Sequence, residues 1–317
     1  MAPTETPGEP GRWRGRALLL LFVGALLIPL ALTPQPFTAD GRNHILRVVL
    51  LERALAAGDW FPRYFPELAY GYGAPLFSYY APLTYYLTAV VARLGLGISH
   101  AYQVVLGLSL VIGAFGAAAW AGAWFGRRAR LIAGVLWAAS PYILYNIYTR
   151  GAGPEALGLA WLPWLIWALS ESLQHGTLRA RITLGLSAAG LMLTHNLTAL
   201  LGFGLLAVFG LGELDVAWRC VSDRRALLHR LGWAAITVGI GLGASAFFWA
   251  PALLETDLVQ ASALTGPAGY DFRGNFLSLQ TLLTGMFTFD QRRVLTPVPP
   301  AIGWGSLVLG VLGAAAL

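Results

Sequence analysis

Residues 75–95 read PLFSYYAPLTYYLTAVVARLG, and whether this stretch crosses a membrane decides how the rest of the chain is arranged. The stretch is apolar and has about the 20 residues that a helix needs to cross the hydrocarbon core. It also begins with Pro75, contains Pro82 and is crowded with tyrosines, a composition that does not favour one uninterrupted helix. Its topology must therefore be argued from the charges in the rest of the chain.

The composition of the whole chain indicates a membrane protein. Of its 317 residues, 57% are hydrophobic and only 11% are charged, whereas an average soluble domain has about 25% charged residues. This deficit excludes a cytosolic enzyme, a disordered chain and a nucleic-acid-binding domain. The single cysteine, Cys220, leaves no intrachain disulfide. The expected fold class is an all-α, polytopic transmembrane helical bundle.

Eight further apolar stretches are candidate spans: 17–33, 101–125, 131–148, 156–173, 182–195, 197–213, 232–251 and 301–317. The first follows Arg12, Arg14 and Arg16, as in a signal peptide, but no small-residue cleavage site follows it. We therefore expect an uncleaved anchor. Residues 1–16 then form a cytoplasmic segment, and residues 17–317 form a single transmembrane domain.

The arginines predict the sidedness, because positive residues remain on the cytoplasmic side. If the N-terminus is cytoplasmic and 75–95 does not cross, 12 arginines and 6 acids lie inside, against 9 arginines and 9 acids outside. If 75–95 crosses, the arginine clusters at 127–130, 179–181 and 219–230 move outside and the bias reverses. We therefore expect 75–95 to lie at the outer interface of the plasma membrane, as one helix or two half-helices.

Two long outer segments, 34–100 and 252–300, are where this topology predicts chemistry. Residues 40–57 have a helical pattern that places Asp40, His44 and Arg47 on one face, with Asp40 at the N-cap position. Ionisation of a carboxylate is favoured there by the helix dipole. The same pattern is typical of an amphipathic helix that lies at the interface with its polar face in water, and both interpretations remain open.

The other candidate residues lie near predicted span ends on the same outer side. Arg150 suits a phosphate through bidentate hydrogen bonds, and Glu155 follows Pro154, a pair that is also ordinary chemistry for a helix start. Polar residues at membrane depth are costly and indicate function by default, although a lone histidine between helices is more often structural. The remaining candidates of this kind are His195, Asn196 and Glu255.

Five strings resemble a known family: DGRNHILRVVLLERAL, GYGAPLFSYYAPLTYYL, YTRGAGPEALGLAWLPW, LTHNLTALL and FFWAPALLE. They are similar to bacterial polytopic membrane proteins labelled as related to 6-pyruvoyl-tetrahydropterin synthase. The layout also resembles the GT-C superfamily of lipid-linked-sugar glycosyltransferases, in which an acidic residue stands near the start of a long first outer loop. GT-C proteins usually have more spans, and this chain stops in GVLGAAAL, so we expect a fragment or a shortened member.

The GT-C resemblance implies an inverting transfer of sugar from a polyprenyl-phosphate donor to an acceptor at the outer face. Asp40 matches the first acidic position, as a general base or as a ligand of a divalent cation, and Glu155 matches the second catalytic position more loosely. Pro-Glu stands where other members have Asp-x-Asp, which puts an obligatory metal in doubt. Arg47 and Arg150 would neutralise the phosphate. The groups implied to orient sugar or metal are His44, His195, Asn196 and Glu255.

Two non-catalytic alternatives remain open. The chain is expected to contact membrane lipids and no nucleic acid in every case, but it could be a lipid-linked-glycan transporter or an accessory subunit. It could also be a degenerate GT-C relative that keeps the scaffold as a structural partner. The predicted span interiors contain no charged residue, which weighs against an ion-coupled carrier.

Overall fold

The computed structural model describes residues 10–32, 38–259, 276, 278–284 and 302–315. Within these residues the secondary structure is helical, and no β-strand is present beyond an isolated bridge between Phe65 and Ala74. The helices are α1 (Pro10–Leu32), α2 (Gly41–Ala56), α3 (Leu76–Tyr79), α4 (Leu83–Arg93), α5 (Ile98–Ala138), α6 (Pro141–Leu144), α7 (Gly153–Gln174), α8 (Leu178–Thr194), α9 (Asn196–Cys220), α10 (Arg224–Ala244), α11 (Ala246–Leu254), α12 (Leu279–Thr284) and α13 (Trp304–Ala315).

The all-α membrane bundle is confirmed in its coarse form. Among the described residues, five helices are long and apolar enough to cross a membrane: α1, α5, α7, α9 and α10. Helix α7 lies at the centre and packs against α5, α8, α9 and α10. The total of eight spans stays a prediction, and residues 1–9 and most of the predicted outer segment 252–300 lie outside the described residues.

Helix α5 folds back on itself at Gly126, which has φ 83° and ψ −168°, a conformation that an L side chain does not adopt readily. A Cβ on Gly113 would lie 2.1 Å from Nε1 of Trp137, and a Cβ on Gly134 would lie 3.1 Å from the carbonyl oxygen of Ala114. The two arms are therefore packed antiparallel. The break coincides with the predicted gap between the candidate spans 101–125 and 131–148.

Four predicted spans differ from the structure: turns interrupt or shorten three of them, and one helix continues past its predicted end. The stretch 131–148 is broken before Pro141, which begins a new helix, and 232–251 is broken at Ser245. The stretch 301–317 corresponds to α13, which has only 12 residues. Helix α9 continues past residue 213, so Glu213 lies inside the helix and is 5% exposed.

Residues 75–95 form the two short helices α3 and α4, as expected for two half-helices. Helix α4 has 11 residues and therefore rises about 16 Å, roughly half of the hydrocarbon thickness of about 30 Å. Phe77 and Tyr85 are buried against the same cluster as Val48 and Leu51 of α2. Each of the two helices is therefore too short to cross the hydrocarbon alone, and α4 packs on α2 and α5; the position of the stretch relative to the membrane stays a prediction.

The helix predicted at 40–57 is present as α2, but its orientation differs from the prediction. His44 is 4% exposed and lies on the buried face with Val48 and Leu51. The interpretation of a helix whose polar face meets water is therefore wrong for His44. Aromatic residues of α4 and α5 pack around the His44 imidazole, so this polar side chain lies in the protein interior.

Candidate functional site

The centre of the candidate site is the ion cluster formed by Asp40, Arg150 and Glu155, which we call the Arg150 cluster. Nε and Nη2 of Arg150 donate to Oδ2 of Asp40 at 3.2 and 3.1 Å. Nη1 donates to Oε2 of Glu155 at 2.5 Å and to Oδ1 of Asn146 at 3.1 Å. The hydroxyl of Tyr142 donates to the other Glu155 oxygen. One guanidinium therefore joins two carboxylates that the sequence separates by 115 positions.

The backbone brings the cluster together at the start of α2 and α7. Residues Tyr145–Arg150 form a π-helical turn, and the Asp40 amide donates to the Arg150 carbonyl oxygen at 2.7 Å. Gly151 follows with φ 65°, and a Cβ there would lie 2.3 Å from Oγ1 of Thr38. Glycine is therefore required both for the left-handed backbone and for the close approach of the two loops.

The Asp40 carboxylate does not cap α2, contrary to the prediction. Asp40 stands at the N-cap position, but with φ −106° and ψ −20° its side chain makes no capping hydrogen bond. The guanidinium of Arg150 takes the carboxylate instead. A charged partner competes well with backbone N–H donors because charge-assisted hydrogen bonds are about twice as strong as neutral ones.

Tyr102 of α5 holds the loop that leads into α7, and sequence reasoning missed this role. Its hydroxyl donates to the Gly151 carbonyl oxygen at 2.7 Å and accepts from the Gly153 amide at 2.8 Å. The side chain is 0% exposed. A Cβ on Gly153 would lie 2.6 Å from that hydroxyl. The Gly-Ala-Gly string at 151–153 was the available signal for such a close approach.

His44 and Arg47 meet at Tyr85, next to the Arg150 cluster. Nη1 of Arg47 donates to the Tyr85 hydroxyl at 3.0 Å, and that hydroxyl lies 2.8 Å from Nδ1 of His44. Arginine can only donate, so the Tyr85 hydroxyl accepts from Arg47 and its own O–H is available to donate to Nδ1 of His44, in the tautomer whose neutral imidazole carries its hydrogen on Nε2. Burial, together with the charges of Arg47 and Arg150, lowers the pKa of His44 to about 3. His44 is therefore neutral at physiological pH.

Aromatic rings enclose this part of the site. The Arg47 guanidinium lies 4.4 Å from the ring centroid of Tyr80, within cation–π distance. The His44 ring stacks on Tyr102 with 5.9 Å between centroids and 29° between planes. The predicted polar face of α2 is thus packed between tyrosines, and Arg47 faces a ring and a phenol rather than open solvent.

His195 and Asn196 lie at the junction of α8 and α9, where the sequence predicted a break at a span end. His195 caps α9, since its Nδ1 accepts from the Thr198 amide at 3.3 Å. A Cβ on Gly158, one helical turn after Glu155, would lie 3.2 Å from Cβ of His195. Asn196 donates to the Tyr79 carbonyl oxygen at 2.7 Å. His195 therefore packs against α7 one helical turn after Glu155, and Asn196 anchors α3.

Glu255 belongs to a separate ion pair and does not join the Arg150 cluster. Nη1 and Nη2 of Arg63 donate to its two carboxylate oxygens at 3.3 and 2.7 Å. The Tyr79 hydroxyl also donates to the Glu255 carbonyl oxygen at 2.7 Å. Arg63 was missed by sequence reasoning, because nothing in its neighbourhood marks it as the partner of a residue almost two hundred positions away.

The donor set does not fit a resident divalent cation. Among the described residues, no group of three or more His, Cys, Asp or Glu side chains lies close enough to hold a metal ion. Asp40 and Glu155 are both ion-paired to the Arg150 guanidinium, which lies between them. Chemically, the cluster offers two carboxylates and a bidentate cation at the edge of a layer of packed aromatic rings.

Comparison with known proteins identifies a family. A search of curated proteins and a search of solved structures each found no match. A family model described as 6-pyruvoyl-tetrahydropterin synthase related domain, membrane protein, matches residues 77–309. This range holds most of the bundle together with Arg150, Glu155, His195 and Glu255. The chain therefore belongs to the family of 6-pyruvoyl-tetrahydropterin synthase related membrane proteins.

Proposed function

We propose that this membrane protein is a GT-C-like glycosyltransferase that transfers a sugar, with inversion, from a polyprenyl-phosphate donor to an acceptor at the outer face of the plasma membrane. The observation that carries the proposal is the Arg150 cluster. Two carboxylates and a guanidinium converge beside an aromatic layer, and their chain segments match the two acidic positions of the GT-C layout. In this topology the N-terminus is cytoplasmic.

The proposed reaction needs one base and a charge-stabilising group. The acceptor hydroxyl attacks the anomeric carbon and loses its proton to the Asp40 carboxylate, while the bond from that carbon to the phosphate oxygen breaks. The electron pair leaves with the lipid phosphate, which is a good leaving group without a general acid. Arg150 and Arg47 stabilise the phosphate charge that develops. Glu155 holds Arg150 in place through its hydrogen bond to Nη1.

Binding of the polyprenyl-phosphate donor to Arg150 frees the Asp40 carboxylate to act as the general base. A phosphate that takes one edge of the guanidinium weakens its bonds to Asp40, and the carboxylate then becomes available to accept a proton. Because the side chains of the site do not fit a metal ion, no step of the proposed reaction uses a metal.

The experiment incubates the purified chain with polyprenyl-phosphate sugars and an acceptor mixture, and measures release of free polyprenyl phosphate. Release is expected from the wild type, and Asp40→Asn should reduce it by about 100-fold or more, the usual contribution of a general base. Asp257→Asn is the control, since Asp257 is exposed and lies outside the cluster. Turnover by Asp40→Asn at the wild-type rate would remove Asp40 from the catalytic role.

A non-catalytic membrane protein is the second candidate, and two observations favour it. Both acids of the Arg150 cluster are already paired by the protein itself, as in a structural ion network. Glu213 is a buried carboxylate inside α9 that accepts from Ser170 at 2.8 Å and from Gln174 at 3.3 Å. A carrier would use such a group. Transport of a lipid-linked glycan into proteoliposomes without phosphate release, lost in Glu213→Gln, would support this candidate instead.

A further inference from the structure

A second polar site lies between α1, α5, α7 and the start of α8. A pocket of about 250 Å³ is lined there by four arginines, namely Arg16, Arg127, Arg130 and Arg179, and we call it the arginine pocket. Glu171 is the one acid among the described residues that line it, and its carboxylate is also 3.2 Å from Nδ1 of His175. The described lining therefore has a net positive charge of about three.

The arginine pocket is at the other end of the bundle from the Arg150 cluster. Glu155 and Glu171 lie on the same helix, α7, separated by 16 positions, which corresponds to about 24 Å of helix rise. Tyr102 likewise lies near the start of the first arm of α5, whereas Arg127 directly follows the break at Gly126, where that arm ends. The two sites are therefore separated by most of the thickness of a membrane, and the pocket does not belong to the proposed transfer site.

The walls of the pocket are apolar and aromatic. Phe115, Trp164 and Leu19 contribute to its lining, and the Arg179 guanidinium lies 5.5 Å from the ring centroid of Trp167. A small soluble anion needs only the arginines. A cavity that joins several guanidiniums to apolar walls between membrane helices suits a molecule with a charged head and an apolar remainder.

We propose that the arginine pocket binds the phosphate headgroup of an anionic phospholipid. Guanidiniums match phosphate oxygens through bidentate hydrogen bonds, and basic pockets between transmembrane helices on the cytoplasmic side are suited to anionic headgroups. The preference of arginine for cytoplasmic loops explains positive charge on this side of the protein. It does not require four arginines from three helices, α1, α5 and α8, to converge on one cavity.

The test measures lipid retention by native mass spectrometry of the full chain in detergent, with phosphatidylglycerol and phosphatidylcholine added at equal concentration. The wild type should retain one phosphatidylglycerol in preference to phosphatidylcholine. Arg127→Gln combined with Arg179→Gln should weaken that binding about 30-fold, since each arginine near a membrane surface contributes about fivefold. Arg128→Gln is the matched control, because Arg128 is exposed and adjacent but does not line the pocket.

A second double variant distinguishes the loss of positive charge from a loss of the folded structure. The Lys double substitution, Arg127→Lys with Arg179→Lys, keeps the charge and should retain binding within about threefold to tenfold, because lysine lacks the bidentate fork. Equal retention of the two lipids by the wild type would overturn the proposal, as would unchanged binding in the Gln double variant. A third arm adds inorganic phosphate alone. Binding of inorganic phosphate as tight as that of phosphatidylglycerol would show a soluble-anion site and overturn the lipid assignment.

Discussion

The Arg150 cluster and the Arg63–Glu255 pair use the same chemistry, an arginine that donates to carboxylates, but they differ in how many parts of the protein they hold. Arg150 joins the start of α2, its own π-helical turn and the start of α7; the Glu155 side chain is 12% exposed, whereas Arg150 and Asp40 are 30% and 39% exposed. Arg63 joins one loop to the end of α11, and both side chains are about one-third exposed, at 35% and 36%.

This difference predicts which of the two ion clusters is more sensitive to the loss of one charged side chain. Exposed ion pairs contribute about 0–1 kcal/mol to stability, whereas removal of one partner from a partly enclosed network leaves the other charge without compensation. We therefore expect the Arg150 cluster to govern activity and local structure, and the Arg63–Glu255 pair to contribute little to either.

The largest contrast is expected from the two arginines. Arg150→Lys keeps the charge but cannot donate at once to Asp40, Glu155 and Asn146, so transfer should fall by about 100-fold. Arg63→Lys should leave transfer within about twofold of the wild type. Release of polyprenyl phosphate measures both variants, and equal losses in the two would contradict the separation of the site from the surface pair.

The next effect concerns the backbone that assembles the cluster. Gly151→Ala adds strain at φ 65° and a clash with Thr38, so we expect a loss of about 2–3 kcal/mol. Gly58→Ala isolates the strain, since Gly58 has φ 88° and open space around its Cβ position, and it should cost about 1 kcal/mol. Thermal unfolding in detergent compares the two. A smaller loss in Gly151→Ala than in Gly58→Ala would show that the loops can separate freely.

A pH-dependent effect is expected from His44, which belongs to the same buried layer. Its pKa is lowered to about 3, so below pH 6.5 the unfolded chain binds a proton that the folded protein does not. Stability should be complete above pH 6.5 and should fall by up to about 1.4 kcal/mol per pH unit as the pH decreases towards 3. The difference in unfolding temperature between wild type and His44→Gln should therefore narrow between pH 7 and pH 5. His100→Gln, at an exposed position, is the control variant.

The smallest effect is expected at the surface pair. Glu255→Gln should lower stability by less than about 1 kcal/mol, and high salt should reduce that loss further. Glu155→Gln should cost more, because Arg150 and Tyr142 both lose the charge of their acceptor. Unfolding temperatures at low and high salt test the order, and a larger loss for Glu255→Gln would reverse the comparison.

Much of the fold could be predicted from local properties of the chain. The helix at 40–57, the two half-helices within 75–95, the turn before Glu155 and the break at His195 all follow from apolar runs interrupted by proline, glycine or polar residues. These features depend on neighbours within a few positions. The continuation of α9 past residue 213 could not be predicted in this way, because packing against α7, rather than local composition, stabilises its polar end.

Part of the candidate site was also predictable. Asp40, Arg150 and Glu155 were chosen because they follow predicted spans on one side, and the structure brings them into direct contact. Glu255 was predicted to belong to the site for the same reason, yet it pairs with Arg63. The side of the membrane on which a residue lies does not determine how far it is from other residues on that side. Tyr102 was missed because a tyrosine inside an apolar stretch has no sequence mark of its hydrogen bonds.

The sequence by itself determined that this is a multi-helix membrane protein, and where its helices are interrupted, because burial in lipid requires long apolar runs that can be read along the chain. Only the tertiary structure decided that His44 faces inward, that Arg150 lies between two carboxylates, and that arginines from three helices line one pocket. These outcomes depend on which distant segments pack together, and the free energy of such contacts is shared between partners that no local pattern connects.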